Sequence, residues 1–314
     1  MSVFKESDLI LEKASKLLIN SGVICVMAET VYGLLGNAED PVAIRRIFKI
    51  KERPFLNPLI VHVNSIEMAK ELAFFSSDAK KIVKEFWPGP LTLILKKKKS
   101  NICSHVTAGL DTIAVRFPDS DIFKKIISRV NKPIAAPSAN KSGYASSTKP
   151  IHVSSYFKNE LDLIIDSGQS KYGIESTVIN LSSEPYKILR EGVINKGLLE
   201  GILNKKIKKN LKKGEILSPG QLAKHYSTKT PIRMNAKKPM KNEAFLGFGK
   251  VLSYNKENLN LSKNSNLSEA AFNLFDYLIK LDNLKKKKIA ISPIPNRGLG
   301  KVINDKLKRA SKYE

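Results

Sequence analysis

The stretch VICVMAETVYGL, residues 23–34, begins with five apolar residues that predict a buried strand over Val23–Met27. Two polar residues, Glu29 and Thr30, follow almost as soon as this apolar run ends. Ahead of the strand, Ser7 can cap a helix with one apolar side. A helix that leads into a buried strand with polar residues at its end is typical of an α/β sheet. Ligands of such sheets lie at strand ends, so the stretch also indicates a binding site.

The same alternation of helices and strands continues to residue 203. A second helix is predicted to begin at Asp40-Pro41, because proline suits a first turn, and to stop before Pro54. Further strands are predicted at Leu59–Val63, Leu91–Leu95, Thr112–Arg116, Pro133–Ala136, Thr177–Leu181 and Lys187–Arg190. The pattern predicts one α/β domain around a twisted sheet, and it leaves the strand order open.

A change in composition marks the end of this domain. Residues 204–213 are rich in lysine, and the stretch after them is poor in apolar residues. Beyond it we predict a strand at Ala244–Phe248, a polar loop at 258–266, a helix at Leu267–Asp282, a strand at Ile289–Ser292 and a helix at Leu299–Lys312. This order predicts a small Rossmann-like domain. The chain is therefore divided into a large domain (1–203), a linker (204–231) and a small domain (232–314).

The chain is strongly basic, with a net charge of +25 from 54 Lys and Arg and 29 Asp and Glu. The excess indicates either attraction to a polyanion or compositional drift, in which runs such as Lys205–Lys213 form solvated faces. Hydrophobic residues make up 42%, which is enough for a packed core. The apolar runs are strand-sized and charged residues precede the first of them, so we expect a cytoplasmic protein with no membrane contact.

Charged residues end two of the predicted elements. Lys51 and Arg53 end the second helix, with Asn57 just after them, and they either complement the helix dipole or bind an oxyanion. His62 lies in an apolar strand, where a histidine is more often a core residue than a ligand. Arg116 ends another apolar strand, so we expect a carboxylate partner from the protein or from a substrate.

Two further clusters combine small and polar residues. The segment AAPSANKSG, residues 135–143, follows a strand and precedes Ser146; its hydroxyl and amide groups can bind phosphate or ribose oxygens. The segment GIEST, residues 173–177, leads into a strand, and Arg190 ends the next one. A Ser-His-Asp order, a nucleophile elbow and paired catalytic carboxylates are all missing from the sequence pattern. The clusters therefore favour positioning and charge neutralisation over covalent catalysis.

Together these clusters resemble the YrdC-like family, and specifically its long two-domain threonylcarbamoyl-AMP synthases. The matching segments, in order, are AETVYGL, IFKIKERPFLNPLIVHV, FWPGPLTLIL, DTIAVRFP, PIAAPSANKSG, YGIESTVINL and ILREG. SPGQLAKHYSTKTPI resembles the connecting loop of the long form, and PIPNRGLGKVINDKLKRA resembles its second domain. The resemblance covers nearly the whole chain. It implies a large mixed-sheet domain with an open groove, followed by a small Rossmann-like domain.

The resemblance implies that L-threonine, bicarbonate and ATP react to give threonylcarbamoyl-AMP and pyrophosphate, the first step of a tRNA modification next to the anticodon. The catalytic positions would be Lys51 and Arg53. Threonine would be bound by Thr30, His62, Arg116 and Ser176. The nucleotide would be bound by Arg53, Asn57, Thr112, Ser138, Asn140, Ser146 and Arg190. Magnesium is expected to accompany ATP, since no carboxylate cage is evident.

The linker is expected to act as a lid. Residues 214–232 are too polar to bury themselves and are not uniformly rich in Gly, Ser or Pro, as tethers tend to be. An acyl-adenylate hydrolyses easily, and closing loops commonly exclude water from such products. We therefore expect His225 and Tyr226 to lie near the nucleotide, with a plain spacer as the alternative. The segment departs from the family pattern at Gln221 and at Ser227-Thr228.

The expected partners are ATP, threonine and bicarbonate, with at most transient contact to a downstream tRNA threonylcarbamoyl transferase and only an indirect relation to tRNA. One alternative is an RNA-binding module, because a basic groove can hold RNA. Such a module would need aromatic platforms, and aromatics make up only 7% of the chain. Another is the carbamoyl-transfer domain of a hydrogenase-maturation protein, which would carry zinc-finger cysteine spacings. Cys25 and Cys103 are too far apart for these.

Overall fold

A computed structural model describes residues 3–209, 218, 225–251 and 257–311. The strands of the large domain are β1 (Val3–Lys5), β2 (Ile24–Met27), β3 (Tyr32–Asn37), β4 (Ile60–His62), β5 (Leu91–Lys96), β6 (Thr112–Arg116), β7 (Ile134–Ala135), β8 (Leu163–Asp166), β9 (Thr177–Asn180), β10 (Lys187–Arg190) and β11 (Lys208–Lys209). Its helices are α1 (Asp8–Ile19), α2 (Pro41–Lys51), α3 (Ile66–Leu72), α4 (Ser77–Phe86), α5 (Ser104–Thr107), α6 (Asp121–Val130), α7 (Pro150–Phe157) and α8 (Lys196–Leu203). The small domain contains β12 (Ile232–Arg233), β13 (Glu243–Gly247), β14 (Leu259–Asn260), α9 (Leu267–Asn283), β15 (Lys288–Ile291) and α10 (Leu299–Ala310).

The large domain is built on one sheet of eleven strands in the order β1-β8-β2-β3-β7-β4-β6-β5-β9-β10-β11. The sheet is mixed: β4 and β6 run parallel, whereas β5 and β6 run antiparallel. The predicted α/β class with a mixed sheet is confirmed. The predicted helix starts are confirmed too, since Ser7 accepts a hydrogen bond from the Ile10 amide and Asp40 accepts from the Val42 and Ala43 amides.

Side chains of β2 alternate between two cores. Cys25 joins the core on one face of the sheet, together with Tyr32 and Leu34 of β3. Ile24 and Val26 join the core on the other face, which is covered by α1 and α6. This alternation is the period of two that a strand buried on both faces must show.

Strand β3 was not predicted from the sequence. Residues Tyr32–Asn37 pair antiparallel with β2, and residues 28–31 connect the two strands. Its glycines allow close packing rather than a turn: a Cβ on Gly36 would lie 2.8 Å from the Ile47 Cδ1 atom of α2. The polar loop predicted at 258–266 is likewise wrong at its start, where β14 pairs with β13.

The small domain holds a four-stranded parallel sheet in the order β12-β15-β13-β14, as a Rossmann-like unit requires. Its helix α9 also meets the large domain, because Val31, Ala145 and Ile174 pack in the same core as Phe275. Part of the predicted linker belongs to the large sheet, since β11 pairs with β10. Residues 210–217 and 219–224 of that linker lie outside the described residues, so the domain boundaries and the lid remain predictions. No described helix is both long and apolar enough to cross a membrane.

Candidate active site

The ends of several strands of the large sheet meet at one cavity, which holds about 540 Å³ of empty space including its open mouth. Strands β4 and β6 are parallel neighbours, and their register sets His62 opposite Arg116. Strands β9 and β10 are antiparallel, so Arg190 at the end of β10 lies beside the start of β9, where Ser176 precedes the strand. The sheet topology therefore gathers side chains that are far apart in sequence.

Arg116 is buried and paired with a buried carboxylate. Its Nη2 atom donates to Glu29 Oε1 at 2.5 Å, and its Nε atom donates to the Gly89 carbonyl at 3.2 Å. Both side chains are about 4% exposed. The expected carboxylate partner is thus a residue of the protein, and the pair fixes the position of the Arg116 guanidinium at the cavity.

Three buried polar atoms at the cavity have no hydrogen-bond partner among the described residues: Thr30 Oγ1, His62 Nδ1 and His225 Nδ1. Burial, and for His62 then Arg116, lowers the pKa of both histidines to about 3, so both rings are neutral at neutral pH. A buried polar atom without a partner is costly, and a bound ligand is one way to satisfy it. His62 is therefore not a satisfied core residue, the alternative that the sequence favoured.

Two arginines that line the cavity, Arg53 and Arg190, donate to protein oxygens without forming an ion pair among the described residues. Arg53 donates to the carbonyls of Asn57 at 3.0 Å and Pro58 at 2.8 Å, and Arg190 donates to the Ser176 carbonyl at 3.0 Å and to Ser176 Oγ at 2.9 Å. Neither forms an ion pair within the part of the chain that the structure describes. Burial and then Arg190 lower the pKa of Arg53 to about 9, so Arg53 stays cationic at neutral pH and favours an anionic ligand.

Hydrogen bonds from the buried Lys51 side chain fix the loop after β7. Lys51 Nζ donates to the carbonyls of Ser138 and Asn140, both at 2.5 Å, and the side chain is 1% exposed. Burial and then Arg53 hold the pKa of Lys51 well below its usual range. Asn140 fastens the same loop, because its amide donates to the Tyr144 carbonyl at 2.9 Å. Lys51 and Asn140 thus shape the loop that presents Ser138 to the cavity.

The structure brings most of the predicted site residues together. Those that line the cavity are Thr30, Arg53, His62, Arg116, Ser138, Ser176, Arg190 and His225. Four further predicted residues are buried and form hydrogen bonds with residues of the lining rather than lining the cavity themselves: Lys51, Asn57, Asn140 and Ser146. Thr112 does not line the cavity, because it begins β6 and Arg116 ends that strand. Tyr226 does not line it either: it is 1% exposed and stacks on Phe275 of α9.

Sequence reasoning missed three charged residues at the site. Glu29 and Glu175 both lie in polar clusters that the sequence pattern indicated as possible binding sites. Their position next to a predicted strand could have identified them. Lys306 lies in α10 of the small domain and donates to Glu175. Nothing local in the sequence could indicate that contact, which joins residues 131 positions apart.

No group of three or more His, Cys, Asp or Glu side chains within the described ranges is arranged to hold a metal ion. The two acids nearest the cavity are already engaged, Glu29 with Arg116 and Glu175 with Lys306 and Ser146. These residues do not fit a protein-held magnesium site. Magnesium commonly binds through substrate phosphates, so it would enter with the nucleotide.

Two family models match the chain. A model for Sua5_yciO_yrdC, described as "Telomere recombination", matches residues 16–192. A second, described as "Threonylcarbamoyl-AMP synthase, C-terminal domain", matches residues 186–312. Together they span both domains.

Similar proteins extend over nearly the whole chain. The threonylcarbamoyl-AMP synthase of Pyrococcus abyssi is 34% identical, covering 93% of this chain and 91% of the relative. That of Bacillus subtilis is 32% identical, covering 95% and 92%. The crystal structure of P. abyssi Sua5 in complex with L-threonine superposes with a TM-score of 0.90 at 31% identity, covering 98% of this chain and 96% of the other.

Proposed function

Since this chain belongs to the Sua5–YrdC family in its two-domain form, we propose that it is a nucleotidyltransferase that makes threonylcarbamoyl-AMP from L-threonine, bicarbonate and ATP. The single observation that carries the proposal is the cavity itself. Among the described residues, it combines two arginines that form no ion pair with three buried polar atoms that have no hydrogen-bond partner. Such a surface suits a ligand that is anionic at one end and rich in hydrogen-bonding groups at the other.

The threonine end of the cavity is formed by Thr30, His62 and Arg116, with Ser176 beside them. Arg116 uses Nη2 and Nε on the protein, which leaves Nη1 free to donate to the carboxylate of an amino acid. The unpartnered Thr30 hydroxyl and the neutral His62 ring supply the complementary groups for a small polar substrate. A relative crystallised with L-threonine has the same fold, which supports this choice of amino acid.

The nucleotide end is formed by Arg53, Arg190 and Ser138. Bicarbonate and the phosphates of ATP are anions, and two uncompensated guanidinium groups favour both. The threonine amine would attack bicarbonate to form a carbamate, with loss of water. A carbamate oxygen would then attack the α-phosphorus, and the bond to pyrophosphate would break. Arg53 and Arg190 would neutralise the negative charge that gathers between the carbamate and the phosphates.

Magnesium would enter with ATP, bound to its phosphates. The proposed product is a mixed anhydride, which a downstream tRNA threonylcarbamoyl transferase would consume to modify the nucleotide next to the anticodon. Contact with that transferase would be transient, and this chain would not bind tRNA directly. We propose that the enzyme works in the cytoplasm.

The proposal is tested by pyrophosphate release with the three substrates supplied singly and together. We expect release only when ATP, threonine and bicarbonate are all present. Equal cleavage of ATP without threonine would refute the proposal. Tight binding of bare RNA, combined with no turnover in the complete mixture, would favour an RNA-binding module instead.

A further inference from the structure

We infer that Lys306 of the small domain is a positioning residue for the cavity of the large domain: it engages Glu175 and so keeps Arg190 available to an anionic ligand. This inference rests on the proposed nucleotide site. It assigns the small domain a direct part in nucleotide binding, beyond its packing against the large domain.

The contact between Lys306 and Glu175 is buried and joins the two domains. Lys306 projects from α10 and is 2% exposed, whereas Glu175 lies in the loop before β9, is 3% exposed and lines the cavity. The Lys306 ammonium donates directly to Glu175 Oε2. A buried charge is stable only when it is paired, so each residue depends on the other.

Neighbouring groups fix this pair in one arrangement. The second oxygen of Glu175 accepts from Ser146 Oγ at 2.6 Å. Lys306 Nζ lies 3.1 Å from the Tyr226 hydroxyl oxygen, and 4.2 Å from the centre of the same ring. The loop itself is pressed against the small domain, since a Cβ on Gly173 would lie 2.4 Å from the Phe272 carbonyl oxygen of α9. The small domain therefore determines where Glu175 can be.

Glu175 is the one acidic side chain among the described residues that line the cavity. Burial alone would raise the pKa of this carboxyl, but Lys306, then Arg190, and the hydrogen bond from Ser146 bring it to about 2, so it is an anion at neutral pH. An anion at this place can either face Lys306 or compensate Arg190. Because Lys306 engages it, Arg190 remains a cation without an ion-pair partner in the described structure and can bind phosphate.

The test compares Lys306→Met with Lys308→Met. Lys308 is exposed on the same helix, so its substitution removes the same charge without touching the pair. We expect Lys306→Met to weaken ATP binding, measured by calorimetry, by about tenfold or more, as befits one charged hydrogen bond. Lys308→Met should stay within about threefold of the unmodified chain by the same scale. Lys306→Arg, which keeps the charge, should restore most of the affinity.

A pH series separates this role from a merely structural one. The charged and titratable groups that face Glu175 are Lys306, Arg190, His225 and Tyr226. Without Lys306, the pKa of Glu175 should rise from about 2, because only Arg190 and the Ser146 hydrogen bond then oppose the effect of burial. The ATP affinity of Lys306→Met should therefore fall, relative to the unmodified chain, as the pH rises through the pKa of this carboxyl. Adding Glu175→Gln to Lys306→Met should abolish that dependence and recover affinity. In a steady-state assay, Lys306→Met should raise KM for ATP more than it lowers kcat.

The outcomes distinguish the inference from the proposed function. If the unmodified chain binds ATP but releases no pyrophosphate, the proposed function fails and the calorimetric comparison still applies. Unchanged ATP affinity in a folded Lys306→Met variant would overturn the inference. Should that variant not fold, Glu175→Gln alone decides: ATP should bind it at least as tightly as the unmodified chain, and a marked loss of affinity would overturn the inference.

Discussion

Arg53→Ala removes a buried guanidinium from the part of the cavity that we propose binds the nucleotide. The side chain is 8% exposed and donates to the Asn57 and Pro58 carbonyls, while the rest of the guanidinium faces the cavity. The same residue follows the end of α2, where a cation also complements the helix dipole. Substitution therefore tests whether Arg53 binds an anion or only stabilises a helix end.

The expected loss of activity follows from one charged hydrogen bond. Such a bond to a phosphate or carbamate oxygen contributes about 1.5–3 kcal/mol, or roughly 10- to 150-fold in kcat/KM. The Asn57 and Pro58 carbonyls also lose their donor, which lowers the free energy of unfolding by about 1–3 kcal/mol for each carbonyl that water does not reach. The assay must therefore run well below the melting temperature of the variant.

Lys49→Ala is the matched control, because Lys49 is an exposed cation in the last turn of the same helix. Pyrophosphate release should be measured for both variants with all three substrates, and circular dichroism should show that both are folded. We expect Arg53→Ala to lose at least about tenfold in kcat/KM, and Lys49→Ala to lose less than about twofold. Equal and small losses of kcat/KM in both variants would refute the anion site. Arg53 would then only complement the dipole of α2.

Thr30→Val keeps the shape of the residue but removes a hydroxyl that has no partner among the described residues, so KM for threonine should rise by about 5- to 10-fold. Thr112→Val, at the far end of β6, should leave KM for every substrate within about twofold. A larger effect of Thr112→Val in the pyrophosphate assay would restore the predicted nucleotide role of Thr112. His62 and His225 are held neutral in the folded state with a pKa of about 3, so the folded state binds fewer protons than the unfolded state below pH 6.5. Their stabilising contribution is present above about pH 6.5 and is lost as the pH falls towards 3, by about 1.4 kcal/mol per pH unit for each histidine. Urea unfolding between pH 7 and pH 5 should show this slope, and His62→Gln should reduce it. An unchanged slope in His62→Gln would mean that folding does not lower the pKa of His62. Asp276→Ala removes a buried carboxylate that accepts from three side chains at the domain interface, so thermal or urea unfolding should show a loss of about 1–3 kcal/mol with ATP affinity little changed.

Local patterns predicted most of the elements because their causes are local. The strands at Thr112–Arg116 and Lys187–Arg190 have the predicted bounds, and the cap at Ser7 and the proline turn at Asp40-Pro41 each depend on residues within one helical turn. Where prediction failed, a distant contact was the reason. Strand β3 was not predicted, and its residue Gly36 packs closely against Ile47 of α2, which lies eleven residues further along the chain.

Candidate site residues were also found mainly by local signals. Polar residues at strand ends pointed to Thr30, Arg116 and Arg190, and the structure gathers all three at one cavity. The family resemblance also implied Thr112, which lies in the same strand as Arg116 but at its other end. Distance along a strand is about 3.3 Å per residue, so four residues are enough to remove a side chain from a site.

The sequence by itself determined the α/β class, the helix ends and the set of polar clusters, because hydrophobic periodicity and capping act over a few residues. Only the tertiary structure decided which clusters meet, since the eleven-stranded order cannot be read from spacing. It also decided the charge at the site: Glu29 compensates Arg116, and Lys306 engages Glu175, while Arg53 lacks an ion-pair partner in the described chain. Electrostatic pairing depends on distance in space, and residues 131 positions apart become neighbours only when two domains pack together.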